Sequence, residues 1–306
     1  MDLATFKRKN IPITMLTAHD YPSARFIEHA GATPADSETS PTGQASHVTT
    51  SSASTHKRGV DICLVGDSLA MVACGYTSTT SLTLDEMLYH CRSVARGCHS
   101  SLLVADMPFG TYAESPQAAM RNAIRLVQEG DMDAVKIEGG AEIADVVRHL
   151  TARGVPVMAH VGLTPQRQSA LSGYRVQGKT VASALKVWRD AQVLQEAGAF
   201  AILIEAVPNK LAEWMSQRLV VPSIGIGAGN GCDGQVLVQL DMLGVSSLSK
   251  GPRFLKRYGD MESMATSAIQ EYVKDVRARD YPNNEAHGYP APEDEWQGFL
   301  EAVQKA

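Results

Sequence analysis

The sequence predicts an α/β protein folded as a (β/α)8 TIM barrel, and three observations lead there. Apolar, β-branched runs recur along the chain, each bounded by turn residues. Stretches with helical spacing lie between them. The runs are nearly continuous in apolar residues, as parallel strands are when helices cover both faces of a sheet. Such alternation means parallel strands. Seven or eight units favour a closed barrel, with an open doubly wound sheet as the alternative.

The expected strands are residues 11–18, 61–66, 102–107, 134–138, 155–161, 201–207 and 221–228, with a weaker eighth at 244–249. Between them, Leu84, Met87, Leu88, Cys91 and Val94 fall on one helical stripe. Ala119, Ala123, Leu126 and Val127 form a second, and Ile143, Val146, Val147 and Leu150 a third. Gly31, Gly97, Gly130, Gly154 and Gly198 stand where helices should close, a place that favours positive φ. Residues 33–58 break the beat. They are Ser/Thr-rich and nearly free of large apolar side chains, so they read as a disordered, low-complexity insertion after the first helix. Residues 261–279 read as a further helix. A final amphipathic patch with Trp296, Phe299, Leu300 and Val303 is expected to pack on the barrel or on a neighbouring subunit. The domain reading is one catalytic barrel over 1–289, interrupted by 33–58, and a C-terminal extension over 290–306.

Composition narrows the function classes. The 306 residues are 44% hydrophobic and carry a formal net charge of −5, from 28 basic and 33 acidic side chains. That balance argues against a nucleic-acid partner, which selects for a basic face. No apolar run approaches the ~18 residues of a membrane span. The five cysteines are odd in number and include no C-x-x-C, which fits buried, inert thiols in a reducing compartment rather than disulfides or structural zinc. A soluble intracellular protein is expected: cytoplasmic as written, mitochondrial if a targeting segment precedes Met1.

In a parallel barrel, ligands bind at the C-terminal ends of the strands. Five consecutive strand runs finish in an ionisable or metal-capable group: Asp67, Asp106, Glu138, His160 and Glu205. A charge beside an apolar strand interior is costly unless paired or metal-bound. One such residue would pass as a helix cap or core histidine, whereas five at equivalent heights point to one shared site. Three carboxylates together need a cation, and oxygen ligands suit Mg²⁺. Asp67 and Asp106 are the expected metal ligands. Glu138 joins them through a metal-bound water, since Mg²⁺ keeps several waters. Lys136 lies two residues before Glu138 and faces the same side, placed to hold an anionic substrate. Glu205 lies within AILIEAV, an apolar context that makes a carboxylate a competent general base. The Gly-rich run 225–231 reads G-x-G-x-G-x-G, lacks the βαβ context of a dinucleotide site, and is expected to be a tight barrel-mouth loop before a helix. Residues 162–166 (GLTPQ) read as a loop with a Pro-set turn. No G-x-S-x-G elbow or P-loop occurs.

Seven strings in fixed order carry a resemblance: TAHDYPSA near the start, LVGDS at 64–68, ADMPF at 105–109, VKIEGG at 135–140, HVGLTPQ at 160–166, GYRVQG at 173–178 and GIGAG at 225–229. Together they closely resemble the 3-methyl-2-oxobutanoate (ketopantoate) hydroxymethyltransferase family over about 11–31 and 59–289. The resemblance implies a barrel of the phosphoenolpyruvate/pyruvate type that uses Mg²⁺ and assembles as a ring-like homo-oligomer, a decamer among the options. It implies 5,10-methylenetetrahydrofolate as co-substrate and 3-methyl-2-oxobutanoate as acceptor, giving 2-dehydropantoate for pantothenate biosynthesis through a Mg-stabilised enolate. Carried onto this chain, Asp67, Asp106 and Glu138 belong to the metal. Asp67, Ser68, Asp106, Lys136 and His160 bind substrate, and Glu205 is the proton acceptor. The chain departs from the family pattern in the 33–58 insertion, in His19 where tyrosine is common, and in Ala206 where cysteine can occur. A lyase or mutase of the same barrel type is the rival enzyme, but the K-K-C-G-H loop of those lyases is missing. A degenerate, assembly-only relative is the non-enzymatic rival, and the intact Asp67, Asp106, Lys136 and Glu205 set speaks against it.

Overall fold

The computed structural model describes residues 2–31, 59–168, 173, 175–245 and 251–306. The 33–58 insertion lies outside the described residues. The first half runs α1 (Leu3–Arg8), β1 (Ile13–Thr17), α2 (Tyr21–His29), β2 (Ile62–Val65), α3 (Leu69–Val72), α4 (Leu84–Ala95), β3 (Leu102–Asp106), α5 (Pro116–Gln128) and β4 (Ala134–Glu138). The second continues with α6 (Ala144–Thr151), β5 (Val157–Gly162), α7 (Val181–Glu196), β6 (Ala201–Glu205), α8 (Asn209–Ser216), β7 (Ser223–Ile226), β8 (Gly234–Leu237), α9 (Gln239–Leu243), α10 (Met261–Ala278), α11 (Asn284–His287) and α12 (Glu293–Gln304). The eight strands close in sequence order into one barrel, with β8 parallel to β1 through Ile13 opposite Gly234.

Period-2 alternation sorts the core into two layers. Ile13, Met15, Ile62, Leu64, Val104, Ala134, Met158, Ala201, Leu203, Ile224 and Val236 fill the barrel, with Leu3 and Phe6 of α1 packed against them. The alternate residues, among them Cys63, Val65, Ala105, Val135, Ile137, Ala159, Ile202 and Ile204, pack outward. The helical layer receives them with the faces the periodicity predicts: Met87, Leu88, Cys91 and Val94 of α4, Ala119, Ala123 and Leu126 of α5, and Val146, Val147 and Leu150 of α6. Side-chain caps set several helix starts. Asp20 with Ser23, Thr83 with Glu86 and Thr180 with Ser183 form reciprocal capping boxes on α2, α4 and α7, each cap contributing about 1 kcal/mol.

The structure corrects four expectations. The eighth strand is Gly234–Leu237, not 244–249. Gly244 instead ends α9 in the left-handed conformation, and residues 246–250 lie outside the described residues. Gly234 is squeezed between its neighbours, because a Cβ there would lie about 2.7 Å from side-chain carbons of both Ile13 and Ile224. The Gly-rich 225–231 run is a mouth loop as expected, but it leads directly into β8 and not into a helix. Of the helix-closing glycines, Gly154 and Gly198 adopt positive φ, whereas Gly97 and Gly130 do not. Of the two docks expected for the last amphipathic patch, one is ruled out: α10 and α12 bury no residue in the single chain. Trp296 is 46% exposed and Phe299 55% exposed, so the last apolar patch does not pack on its own barrel. Cys63, Cys91 and Cys98 are buried free thiols as expected, but Cys74 is exposed.

Candidate active site

The inward register of the strands carries chemistry to the C-terminal mouth. Each ionisable side chain follows an inward core residue by two or four positions: Asp106 after Val104, Lys136 and Glu138 after Ala134, His160 after Met158, Glu205 after Leu203. Asp67 follows β2 directly. All seven residues expected from sequence, Asp67, Ser68, Asp106, Lys136, Glu138, His160 and Glu205, line one cavity of about 140 Å³. Asp67, Asp106, Lys136, Glu138 and His160 are buried, and the Glu205 side chain is 16% exposed. A larger cavity of about 800 Å³ runs along β1 and β8. Its Lys7 and Asp233 close on each other at 2.7 Å, and none of the seven mouth residues reaches it. The chemistry therefore belongs to the smaller one.

The polar groups form a chain across the mouth. Lys136 Nζ lies 2.7 Å from Asp106 Oδ1 and 3.9 Å from Glu138 Oε1. His160 Nδ1 is 3.2 Å from Lys136 Nζ and 3.4 Å from Glu138 Oε1, and its Nε2 is 3.2 Å from Glu205 Oε2. The Asp67 amide donates to Asp106 Oδ2 at 2.9 Å. The Lys136–Asp106 contact is an ion pair without hydrogen-bond alignment, so the buried Asp106 Oδ1 takes no hydrogen bond.

The electrostatics follow from burial and from the excess of carboxylates. Burial, then the Asp106 and Glu138 charges, push the Asp67 carboxyl well above the usual range. Burial disfavours the charged form of Lys136, but the Asp106, Glu138 and Asp67 charges outweigh it and raise the ammonium. Burial works against ionisation of Glu138 too, yet His160, Lys136 and the Gln166 amide hold that carboxyl low. Burial and Lys136 oppose protonation of His160, but Glu138 and Glu205 overcome them and raise the imidazole to about 9.

These groups suit a divalent cation. Four carboxylates, Asp67, Asp106, Glu138 and Glu205, face two basic groups, Lys136 and His160. The buried Asp106 Oδ1 among them takes no hydrogen bond. Among the described residues, no three His, Cys, Asp or Glu side chains group as a metal cage. Mg²⁺ does not need one, because it takes one or two carboxylates and fills its shell with water and substrate oxygens. Asp67 and Asp106 could supply those carboxylates. Both Glu138 oxygens already face protein groups, Oε2 accepting from the Gln166 amide at 3.0 Å and Oε1 facing His160 and Lys136, so Glu138 suits contact through water.

Two buried residues here are not among the site residues expected from sequence. Gln166 sits in the short turn Pro165–Arg167 after β5. Its Nε2 donates to Asp67 Oδ2 at 2.9 Å and to the Met107 carbonyl at 3.0 Å. Tyr112, beyond β3, brings its hydroxyl to Gln166 Oε1 at 2.7 Å and to the Glu138 carbonyl at 3.0 Å. The GLTPQ turn is sharp because Gly162 adopts φ +94° and lets the Leu163 amide donate to the Glu205 carbonyl at 2.9 Å. A Cβ at Gly162 would collide with that same carbonyl oxygen. Gly162→Ala is therefore expected to lower stability by about 2–4 kcal/mol through strain and overpacking. Urea unfolding checks this, and a loss below 0.5 kcal/mol would count against the crowding at Glu205.

A parallel barrel that gathers carboxylates, a lysine and a histidine at its C-terminal mouth has the architecture of a barrel enzyme. The family model described as ketopantoate hydroxymethyltransferase matches residues 39–284. The chain belongs to the ketopantoate hydroxymethyltransferase family. A relative from Emericella nidulans, named 3-methyl-2-oxobutanoate hydroxymethyltransferase, is 47% identical over 304 residues, covering 99% of this chain and 79% of its own. A relative of the same name from Oleidesulfovibrio alaskensis is 43% identical over 294 residues, covering 96% and 91%. Among solved structures, oxaloacetate acetylhydrolase in complex with the product oxalate aligns with TM-score 0.55 at 13% identity, covering 96% of this chain and 89% of that one. Phosphonopyruvate hydrolase in complex with oxalate and Mg²⁺ aligns with TM-score 0.53 at 17% identity, covering 99% and 96%. At these identities the likeness is one of fold, the closed parallel (β/α)8 barrel.

Proposed function

We propose that this chain transfers a hydroxymethyl group from 5,10-methylenetetrahydrofolate to 3-methyl-2-oxobutanoate, giving 2-dehydropantoate for pantothenate biosynthesis. One observation supports this reading most: a small cavity joins a cluster of buried carboxylates and a lysine to a separate carboxylate, Glu205, through His160. A branched 2-oxo acid presents the matching features, with a carboxylate and carbonyl at one end and an acidic C3–H at the other. Lys136, Asp106 and the Ser68 hydroxyl receive the polar end. Asp67 and Asp106 would hold Mg²⁺, with Glu138 reached through water. When bound, that ion polarises the 2-oxo group and offsets the negative charge that grows there as C3 loses its proton, an effect of several kcal/mol.

Glu205 accepts the C3 proton. Its partner His160, protonated between Glu138 and Glu205, holds the carboxylate in place and binds it as an anion. The enolate carbon attacks the methylene carbon, presented by the folate as an iminium. Water cleaves the remaining carbon–nitrogen bond, which leaves the hydroxymethyl group on C3 and tetrahydrofolate as the leaving product. The exposed apolar side chains of α10 and α12, among them Met264, Ile269, Tyr272 and Phe299, support assembly into a homo-oligomer that covers them.

The test is turnover of 3-methyl-2-oxobutanoate with 5,10-methylenetetrahydrofolate by the full chain. Product is expected with Mg²⁺ and a loss of at least about 100-fold after chelation, restored by added Mg²⁺. Turnover that is indifferent to chelator would remove the cation from the reading. No hydroxymethylated product under any condition would remove the activity.

A further inference from the structure

We propose that Gln166, held by Tyr112, is a positioning residue that aims the carboxylates of the cation site, an inference that rests on the Mg²⁺ reading above. Gln166 follows β5, yet it reaches the ends of three other strands. It donates to Asp67 beyond β2 and to the Met107 carbonyl beyond β3, and its backbone amide donates to Glu138 at the end of β4. It is buried, as are Asp67, Glu138 and Tyr112. Each of its contacts is a full hydrogen bond of 2.7–3.0 Å.

The surroundings fix which way the amide points. The Met107 carbonyl can only accept, so it requires the NH₂ end of the side chain. The second proton of that NH₂ then falls on Asp67 Oδ2. On the opposite end, the Tyr112 hydroxyl donates to Oε1, and the Glu138 carbonyl stands 3.0 Å away as its second acceptor. A flipped amide would set its oxygen against two acceptors and leave them unpaired. Gln166 thus makes three of its four possible side-chain hydrogen bonds, and the Met107 carbonyl and the Asp67 carboxylate oxygen select this orientation. The consequence is directional. One oxygen of Asp67 is tied back to the protein, so the carboxylate is oriented with its other oxygen available to a ligand. The same residue holds Glu138 Oε2, so the direct ligand and the water-mediated one are set by a single side chain and its own backbone. Groups that orient metal ligands in this way typically change cation affinity or activity 10–100-fold when removed.

The experiment uses the full chain and two variants, Gln166→Met and Tyr112→Phe. The second keeps the ring packing and removes only the hydroxyl. Mn²⁺ binding is followed by electron paramagnetic resonance, with no substrate present. The kcat and KM for the oxo acid are measured at saturating Mg²⁺, and the melting temperature in chelator. Gln166→Met is expected to weaken Mn²⁺ binding on the order of 10–100-fold. Tyr112→Phe should shift it in the same direction by a smaller factor. In both, kcat should recover most of its value at saturating cation. A wild-type chain that binds no Mn²⁺ overturns the cation reading and this proposal with it. A wild-type chain that binds, with both variants within twofold of it, overturns this proposal alone. A lower melting temperature in chelator with unchanged Mn²⁺ affinity marks a purely structural role and also overturns it.

Discussion

Glu205→Gln is expected to bind 3-methyl-2-oxobutanoate about as well as the wild type while losing exchange of its C3 proton by about 10²–10⁴-fold, the usual contribution of a positioned general base. The amide is isosteric and can take the place of the carboxylate beside His160 Nε2, now 3.2 Å away, so the mouth should keep its shape. What disappears is the proton-accepting charge. Exchange in D₂O, read by proton NMR of the isopropyl methine, separates this step from every later one because no folate is needed. If Glu205→Gln exchanged within a few-fold of wild type, another group would have to be the base. Failure to bind the oxo acid would instead place Glu205 in the binding set.

Lys136→Met is expected to damage both stability and activity. The ammonium is enclosed by Asp106 at 2.7 Å, Glu138 at 3.9 Å and His160 at 3.2 Å, and it is buried. Methionine fills a similar volume but leaves those acids without their cation. Removing one partner of a buried pair typically costs about 3–5 kcal/mol, because the other charge stays buried and unpaired. Added Mg²⁺ should restore part of that loss, since it supplies positive charge to the same carboxylates. Catalysis should not return with it, because the substrate carboxylate would still lack its partner. Chemical unfolding with and without Mg²⁺ checks the first statement and steady-state kinetics the second. A loss under 1 kcal/mol would show that Asp106 and Glu138 do not depend on Lys136. Coupling within the cluster is also expected, so Lys136→Met combined with Asp106→Leu should cost less than the two single changes added together.

Much of this architecture is legible in the sequence, for identifiable physical reasons. Strands buried on both faces leave continuous apolar runs, and seven of the eight stand out that way. The site is legible for the same reason. A charge at the end of an apolar run is conspicuous, and alternation brings Asp106, Lys136, Glu138, His160 and Glu205 to one side. The eighth strand is hidden because Gly-Gln-Val-Leu is short, and its first residue must be Gly to fit beside Ile13 and Ile224. Gln166, although it closes the HVGLTPQ string, and Tyr112 escape a site reading for a different reason. A neutral amide in a Pro-set turn and a tyrosine in a loop are ordinary there, and only three-dimensional contact reveals what they hold. The patch on α12 is legible as amphipathic, but where it docks depends on surfaces beyond a single chain.

The central claim is that the barrel mouth, with a divalent cation on Asp67 and Asp106, removes the C3 proton of the oxo acid. Incubating the wild-type chain with 3-methyl-2-oxobutanoate in D₂O, without folate, tests it directly. Deuterium should enter C3 when Mg²⁺ is supplied and should stop when the cation is chelated. Equal exchange in both conditions, or none with Mg²⁺ present, would contradict the account.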